Sequence, residues 1–224
     1  GSFKLGSVEQ TEWAVIALDM AGAQYDVEKA VNFILGKSKN QSSIDLLAIA
    51  LAALAPHKDI DGVESYIEEN LDYINENQLE SGGFVDSLGM ENSYTLSYVI
   101  SALVANGIDP LTDERWIKND KTLLDALLEY RQLNYFIYNK TYGEYLYKDE
   151  ATAQAFIALS DLLHKKSTYQ NVQETVSYKG KIRDGLFKLR DYLTTTQKRA
   201  NNSLEEVDVF YTWLDAMAIN HTSS

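Results

Sequence analysis

Apolar positions recur along this chain with a period near 3.6, and two kinds of segment alternate. In residues 63–78, Val63, Tyr66, Ile67, Leu71 and Ile74 share one helical face while acids occupy the other. Segments such as "EWAVIALDMAG", "IDLLAIALAAL", "TLSYVISALVANG", "ATAQAFIALSDLL" and "VFYTWLDAMAI" are instead alanine-rich and apolar on most sides. The pattern predicts helices over 8–22, 26–36, 41–55, 62–78, 92–106, 120–132, 150–164, 178–198 and 204–219. No stretch alternates convincingly with period two, so the chain reads as all-α. A helix apolar all round must be buried, and one with a single apolar stripe lies at the surface. The chain therefore alternates inner and outer helices. The pairs Ala17-Leu18, Ala50-Leu51, Ala102-Leu103 and Ala158-Leu159 mark equivalent places on four inner helices, as in a repeated helical hairpin.

The connections carry their own signals. Pro56 and Pro110, the chain's two prolines, each follow an apolar helical run that proline cannot extend. In "QLESGGFVDSLGMENSYTLSYVISALVANGIDP", residues 78–110, Gln78 closes an outer helix and Gly82-Gly83-Phe84 makes the reversal. Glu91-Asn92-Ser93 then caps the next inner helix. Phe84 is placed to wedge between layers. Gln132 with Phe136 and, more weakly, Gln197 echo the signal.

Composition narrows the class. The 224 residues, 45% of them hydrophobic, suffice for a sizeable core, and the longest apolar run, Leu46–Pro56, is too short to cross a bilayer. The absence of cysteine excludes disulfides, thiolate zinc sites and cysteine nucleophiles. A net charge of −13 repels nucleic acid and anionic lipid, so neither nucleic-acid binding nor membrane insertion is expected. Acids crowd residues 64–80 and bases residues 179–199, read as solvated outer helices of opposite sign. The Gly-Ser start reads as a cleavage scar on an excised piece. Residues 1–7 are accordingly assigned as scar or linker, 8–219 as the helical domain and 220–224 as a tail.

A glutamine, a Gly-Gly-Phe turn and a Thr/Ala-Leu helix resemble the repeat of squalene cyclases and protein prenyltransferase β subunits. "SSIDLLAIALAAL", "NGIDP" and "GEYLYKDEATAQAFIALSDLL" are similar to prenyltransferase-like domains of Gram-positive surface proteins, a subfamily often found beside a transcobalamin-like domain. The resemblance implies an α/α toroid, parallel inner helices ringed by antiparallel outer ones. Here there are four hairpins and a final lone helix, fewer than a full ring, so the toroid is read as incomplete. The reactive groups of the catalytic relatives are missing. There is no cysteine for the Asp/Cys/His zinc set, no Asp-x-Asp-Asp acid and no Cys-Gly-Glu-Gln thioester motif.

Candidate chemistry in the residues is sparse. In "HKDIDGVESYIE", Asp59, Asp61, Gly62 and Glu68 fall at calcium-loop positions, but His57 stands where the first aspartate belongs, which favours helix-capping acids. His57, His164 and His221 lie too far apart for a shared metal, and adjacent acids such as Asp149-Glu150, Glu205-Glu206 and Asp113-Glu114 are expected by chance in so acidic a chain. No catalytic or metal residue and no cofactor is assigned.

The informative excess is fifteen tyrosines. In a toroid the N-termini of the inner helices converge on one rim. There Glu91, Tyr94, Tyr98, Tyr145, Tyr147, Glu150, Gln154 and Tyr211 form an aromatic, acidic candidate site. It suits a sugar, a corrin-like ring or a peptide. Tyrosines that bury their rings and keep their hydroxyls wet are the structural alternative.

The expected function is a non-catalytic ligand-binding or adhesion module, extracellular or wall-associated in a Gram-positive bacterium, with cytoplasm as the alternative location. Its partner would be a small molecule, glycan or protein, with further domains in the parent chain. The rivals are an enzyme of the prenyltransferase/terpene cyclase class or a carbohydrate-active α/α barrel, and a structural spacer without ligand.

Overall fold

Two of the predicted inner helices begin where a short polar side chain takes up a free backbone N–H group. In the computed structural model, which describes residues 7–38, 41–143 and 147–170, Ser7 caps α1 (Val8–Met20) through Gln10 N–H, and Asn92 caps α5 (Ser93–Ala105) through Thr95 N–H at 2.8 Å. The other segments predicted as inner give α3 (Ile44–Leu54) and α7 (Lys148–His164), but only α3 and α5 are buried along nearly their whole length, whereas α1 and α7 leave much of theirs uncovered, Phe156 and Leu163 included. The amphipathic segments form α2 (Val27–Ser38), α4 (Val63–Glu76) and α6 (Leu123–Leu128). The described residues contain helices, 3-10 turns and isolated bridges, and no strand.

The stripe read from the sequence of α4 is the face it buries, since Val63, Tyr66, Ile67, Leu71 and Ile74 are all covered. α3 buries Ile44 and every residue from Leu47 to Leu54, and α5 buries all of its length except Tyr94. α1, α3, α5 and α7 pack in that order, each on the next, with α2 against α1 and α3, α4 against α3, and α6 against α5. Ala48, Ala50, Ala52, Ala53, Ala102, Ala155 and Ala158 are all buried in these helices, where small side chains suit close packing. Ala17 of α1 is exposed, so the small-residue equivalence holds on α3, α5 and α7 and lapses on α1.

α6 is shorter than the predicted 120–132. Asn119 and Asp120 adopt left-handed φ of 51° and 60°, so the chain is still turning there, and a Thr122–Asp125 capping box sets the helix start at Leu123. After Leu128 the chain turns again and pairs Arg131 with Phe136, which seats Tyr130 and Phe136 in the core. Phe84 and Phe136 are both buried wedges, but Gln78 and Gln132 differ. Gln78 lies beyond the end of α4, buried, and its Nε2 donates to Gly82 O at 3.0 Å and Trp116 O at 3.2 Å; Gln132 is exposed. The predicted helices over 178–198 and 204–219 lie outside the described residues.

Candidate functional site

The first turns of the inner helices share one end. Glu9 of α1, Asp45 of α3 and Glu150 of α7 all act electrostatically on the Tyr94 hydroxyl of α5. Burial first, and these acids after it, push that hydroxyl above its ordinary value. The opposite ends of the helices also meet. Asn106 donates to Leu51 O at 3.3 Å, Gln170 to Ala105 O at 2.8 Å, and Lys165 pairs with Asp109 at 2.8 Å.

From the first-turn end six aromatic rings touch in series. Tyr147 meets Tyr138 at 5.2 Å between centroids, Tyr138 meets Tyr94 at 6.4 Å and Tyr94 meets Tyr98 edge-on at 4.7 Å. Trp13 continues the run to Tyr98 at 5.9 Å and to Tyr169 at 5.6 Å. The hydroxyls are engaged within the run. Tyr98 donates to Tyr94 at 2.8 Å, Tyr138 to Asp86 at 2.6 Å, and Tyr169 accepts from Gln154 at 2.7 Å. Burial is the main reason the Tyr98, Tyr138 and Tyr169 hydroxyls are all held well above ordinary tyrosine values.

Of the candidate residues, Tyr94, Tyr98, Tyr147, Glu150 and Gln154 belong to this end, but they divide by exposure. Tyr98 and Gln154 are buried in packing, Tyr94 is half-buried, and Tyr147 is 57% exposed at the left-handed start of α7. Glu91 turns elsewhere, accepting from Ser81 Oγ at 2.6 Å beside Gly83 and acting on Tyr130. Tyr145 and Tyr211 lie outside the described residues. The sequence reading missed Trp13, Tyr138, Tyr169 and Asp86. Trp13, on the first turns of an inner helix, carried the same signal as Tyr94, whereas Tyr138 and Asp86 come from loops whose course no periodicity reports.

Among the described residues no three His, Asp or Glu side chains are grouped to hold a metal ion. Asp59, Asp61 and Glu68 are exposed around the Gly62 turn, and His57 pairs with Asp19 at 2.7 Å, whose other oxygen accepts from Tyr25 at 2.6 Å. Two acids are buried outright. Burial raises Glu12 to about 8, with Glu9 adding to the effect, and its Oε2 has no hydrogen-bond partner. Ser38 and Tyr66 face it, each with an equally unpartnered oxygen, close enough to interact without closing a well-formed bond. Burial likewise raises Asp161 to about 6, although it accepts from both Thr168 N and Thr168 Oγ1. A hollow of about 190 Å³ at the far end is lined by Val104, Ile108, Pro110 and Leu162 with Lys165 at its edge. Compared with family models, curated proteins and solved structures, the chain matches none of them.

Proposed function

We propose that the chain is a non-catalytic ligand-binding module built on a shortened prenyltransferase/cyclase-like α/α toroid and carried at a bacterial cell surface. The toroid reading is supported by the consecutive packing of α1, α3, α5 and α7 with an outer partner on each of the first three. The turn Thr168–Gln170 then comes back against α1. The observation that carries the function is the convergence of Tyr94, Tyr138 and Tyr147 with Glu9, Asp45 and Glu150 on one end, where aromatic surface and charge stand together.

A ligand-observed NMR screen of small molecules and glycans against the full chain tests it, with hits mapped by amide shifts. Hits that shift Tyr94 and Tyr147, and weaken in Tyr147→Leu, are expected. Hits that all map to other surfaces, or none at all, overturn the reading. A spacer without ligand is the second reading, favoured by Trp13, Tyr98, Tyr169 and Gln154 filling the space between α1, α5 and α7.

A further inference from the structure

We infer that the aromatic end takes an organic cation, a small ligand carrying a quaternary or tertiary ammonium group. The inference rests on the reading of that end as a binding face and supplies the chemistry the face selects.

What the end offers outward decides the class. Sugars are held by hydrogen bonds to donors and acceptors as well as by stacking. Here the Tyr98 hydroxyl is given to Tyr94 and the Tyr138 hydroxyl to Asp86. Those two hydroxyls are used inside the cluster, and the ring surface that remains belongs to the exposed Tyr147 and in part to Tyr94, with Tyr138 buried behind them. The Tyr94, Tyr138 and Tyr147 planes are tilted by 52° and 70° in succession, so they stand around a corner instead of lying flat on one another. The faces of such rings carry the negative lobe of the aromatic quadrupole, which attracts a cation placed over them.

Charge points the same way. Glu9, Asp45 and Glu150 act on Tyr94, and Asp86 and Asp45 on Tyr138. Other tyrosine rings of this chain do hold cations: Lys140 lies 5.1 Å from the Tyr130 centroid and Lys148 5.4 Å from that of Tyr135. Those two lysines are thereby engaged. The −13 net charge adds a long-range field that concentrates cations and repels anions. Alkylated ammonium groups are favoured over a metal ion or a primary amine because they give up little hydration on meeting an aromatic face.

Choline and its uncharged isostere 3,3-dimethyl-1-butanol separate charge from shape. Each is titrated into the full chain at low and at high salt, following the Tyr94, Tyr138 and Tyr147 amides by NMR. Choline is expected to shift these amides saturably, more weakly at high salt, with the isostere about tenfold weaker. Tyr147→Leu and the surface change Glu150→Gln should each weaken choline by roughly three- to tenfold, and Glu150→Gln leaves the packing of α7 untouched. Equal binding of choline and isostere overturns the cation inference while the binding face stands. No shift of these amides by either probe overturns the inference, and if the wider screen also leaves them unmoved the binding face falls with it.

Discussion

The Trp13 indole meets the Tyr169 ring edge-on at 5.6 Å, joining the first described helix to the last described turn. These residues are distant in sequence, and the contact is supported from α7 by the Gln154 amide on the Tyr169 hydroxyl. Tyr169→Phe keeps the ring and strands a buried donor, so it should cost about 1–3 kcal/mol. A double-mutant cycle with Trp13→Ala and Tyr169→Ala should return a coupling of about 0.5–1.5 kcal/mol in urea unfolding. A coupling indistinguishable from zero would mean that α1 and the Thr168–Gln170 turn do not hold each other.

Glu12 makes stability depend on pH. In the folded chain it stays protonated up to about pH 8, while unfolded it ionises near its ordinary 4.5. The unfolded state therefore binds fewer protons between those values, and stability falls as pH rises through the window and levels off above about 8. The groups facing it are Glu9 on its own helix, Ser38 at the end of α2 and Tyr66 on α4, whose own hydroxyl is pushed up to about 12 chiefly by burial. Glu12→Gln removes the titration and keeps the shape. Measured against that variant by urea unfolding at several pH values, the parent chain should lose on the order of 3–5 kcal/mol across the window. Parallel curves for the two proteins would refute this; Asp161, raised to about 6, contributes equally to both.

The two glycines of the Gly-Gly-Phe turn do different jobs. Gly82 has φ +88°, and an added Cβ would also stand 3.2 Å from the Ala126 Cβ, so Gly82→Ala should cost about 1–3 kcal/mol through backbone strain. At Gly83 an added Cβ would lie 2.3 Å from Glu91 Oε1, forcing the carboxylate off the Ser81 hydroxyl. Gly83→Ala should therefore become milder in a Glu91→Ala background, and Gly82→Ala should not. Thermal melts of the three single and two double variants decide it, and an unchanged Gly83 penalty counts against the space argument.

α6 depends on its first turn. Thr122 Oγ1 accepts from Asp125 N at 3.2 Å and Asp125 Oδ2 accepts from Thr122 N at 2.9 Å. With only six residues in the helix, Thr122→Ala should cost about 1 kcal/mol, and Thr122→Ser should cost little. Chemical denaturation of both variants checks the difference, and equal losses would point to the threonine methyl instead of the cap.

Helical character was legible in the sequence, and so was the burial of α3 and α5, while α1 and α7, read as buried all round, cover only part of their surface. Periodicity reports which side of a helix meets water, and that is a local property: the α4 stripe and the apolar run of α3 were legible because burial follows from composition along one element. Asn92 and the Gly82 turn were legible because caps and positive φ are met within a few residues, whereas the Thr122 cap went unread and the predicted helix starts at 120. The tertiary structure decided which side chains share a place. Tyr138 and Asp86 come from separate loops, yet they bond to each other beside Tyr94. Glu91, one residue from the cap of α5, turns to Ser81 instead. Gln78 works by reaching Trp116, a partner 38 residues away that no spacing announces. Long-range neighbours are set by how helices stack and how loops return across their ends, and that geometry is a property of the whole packed unit.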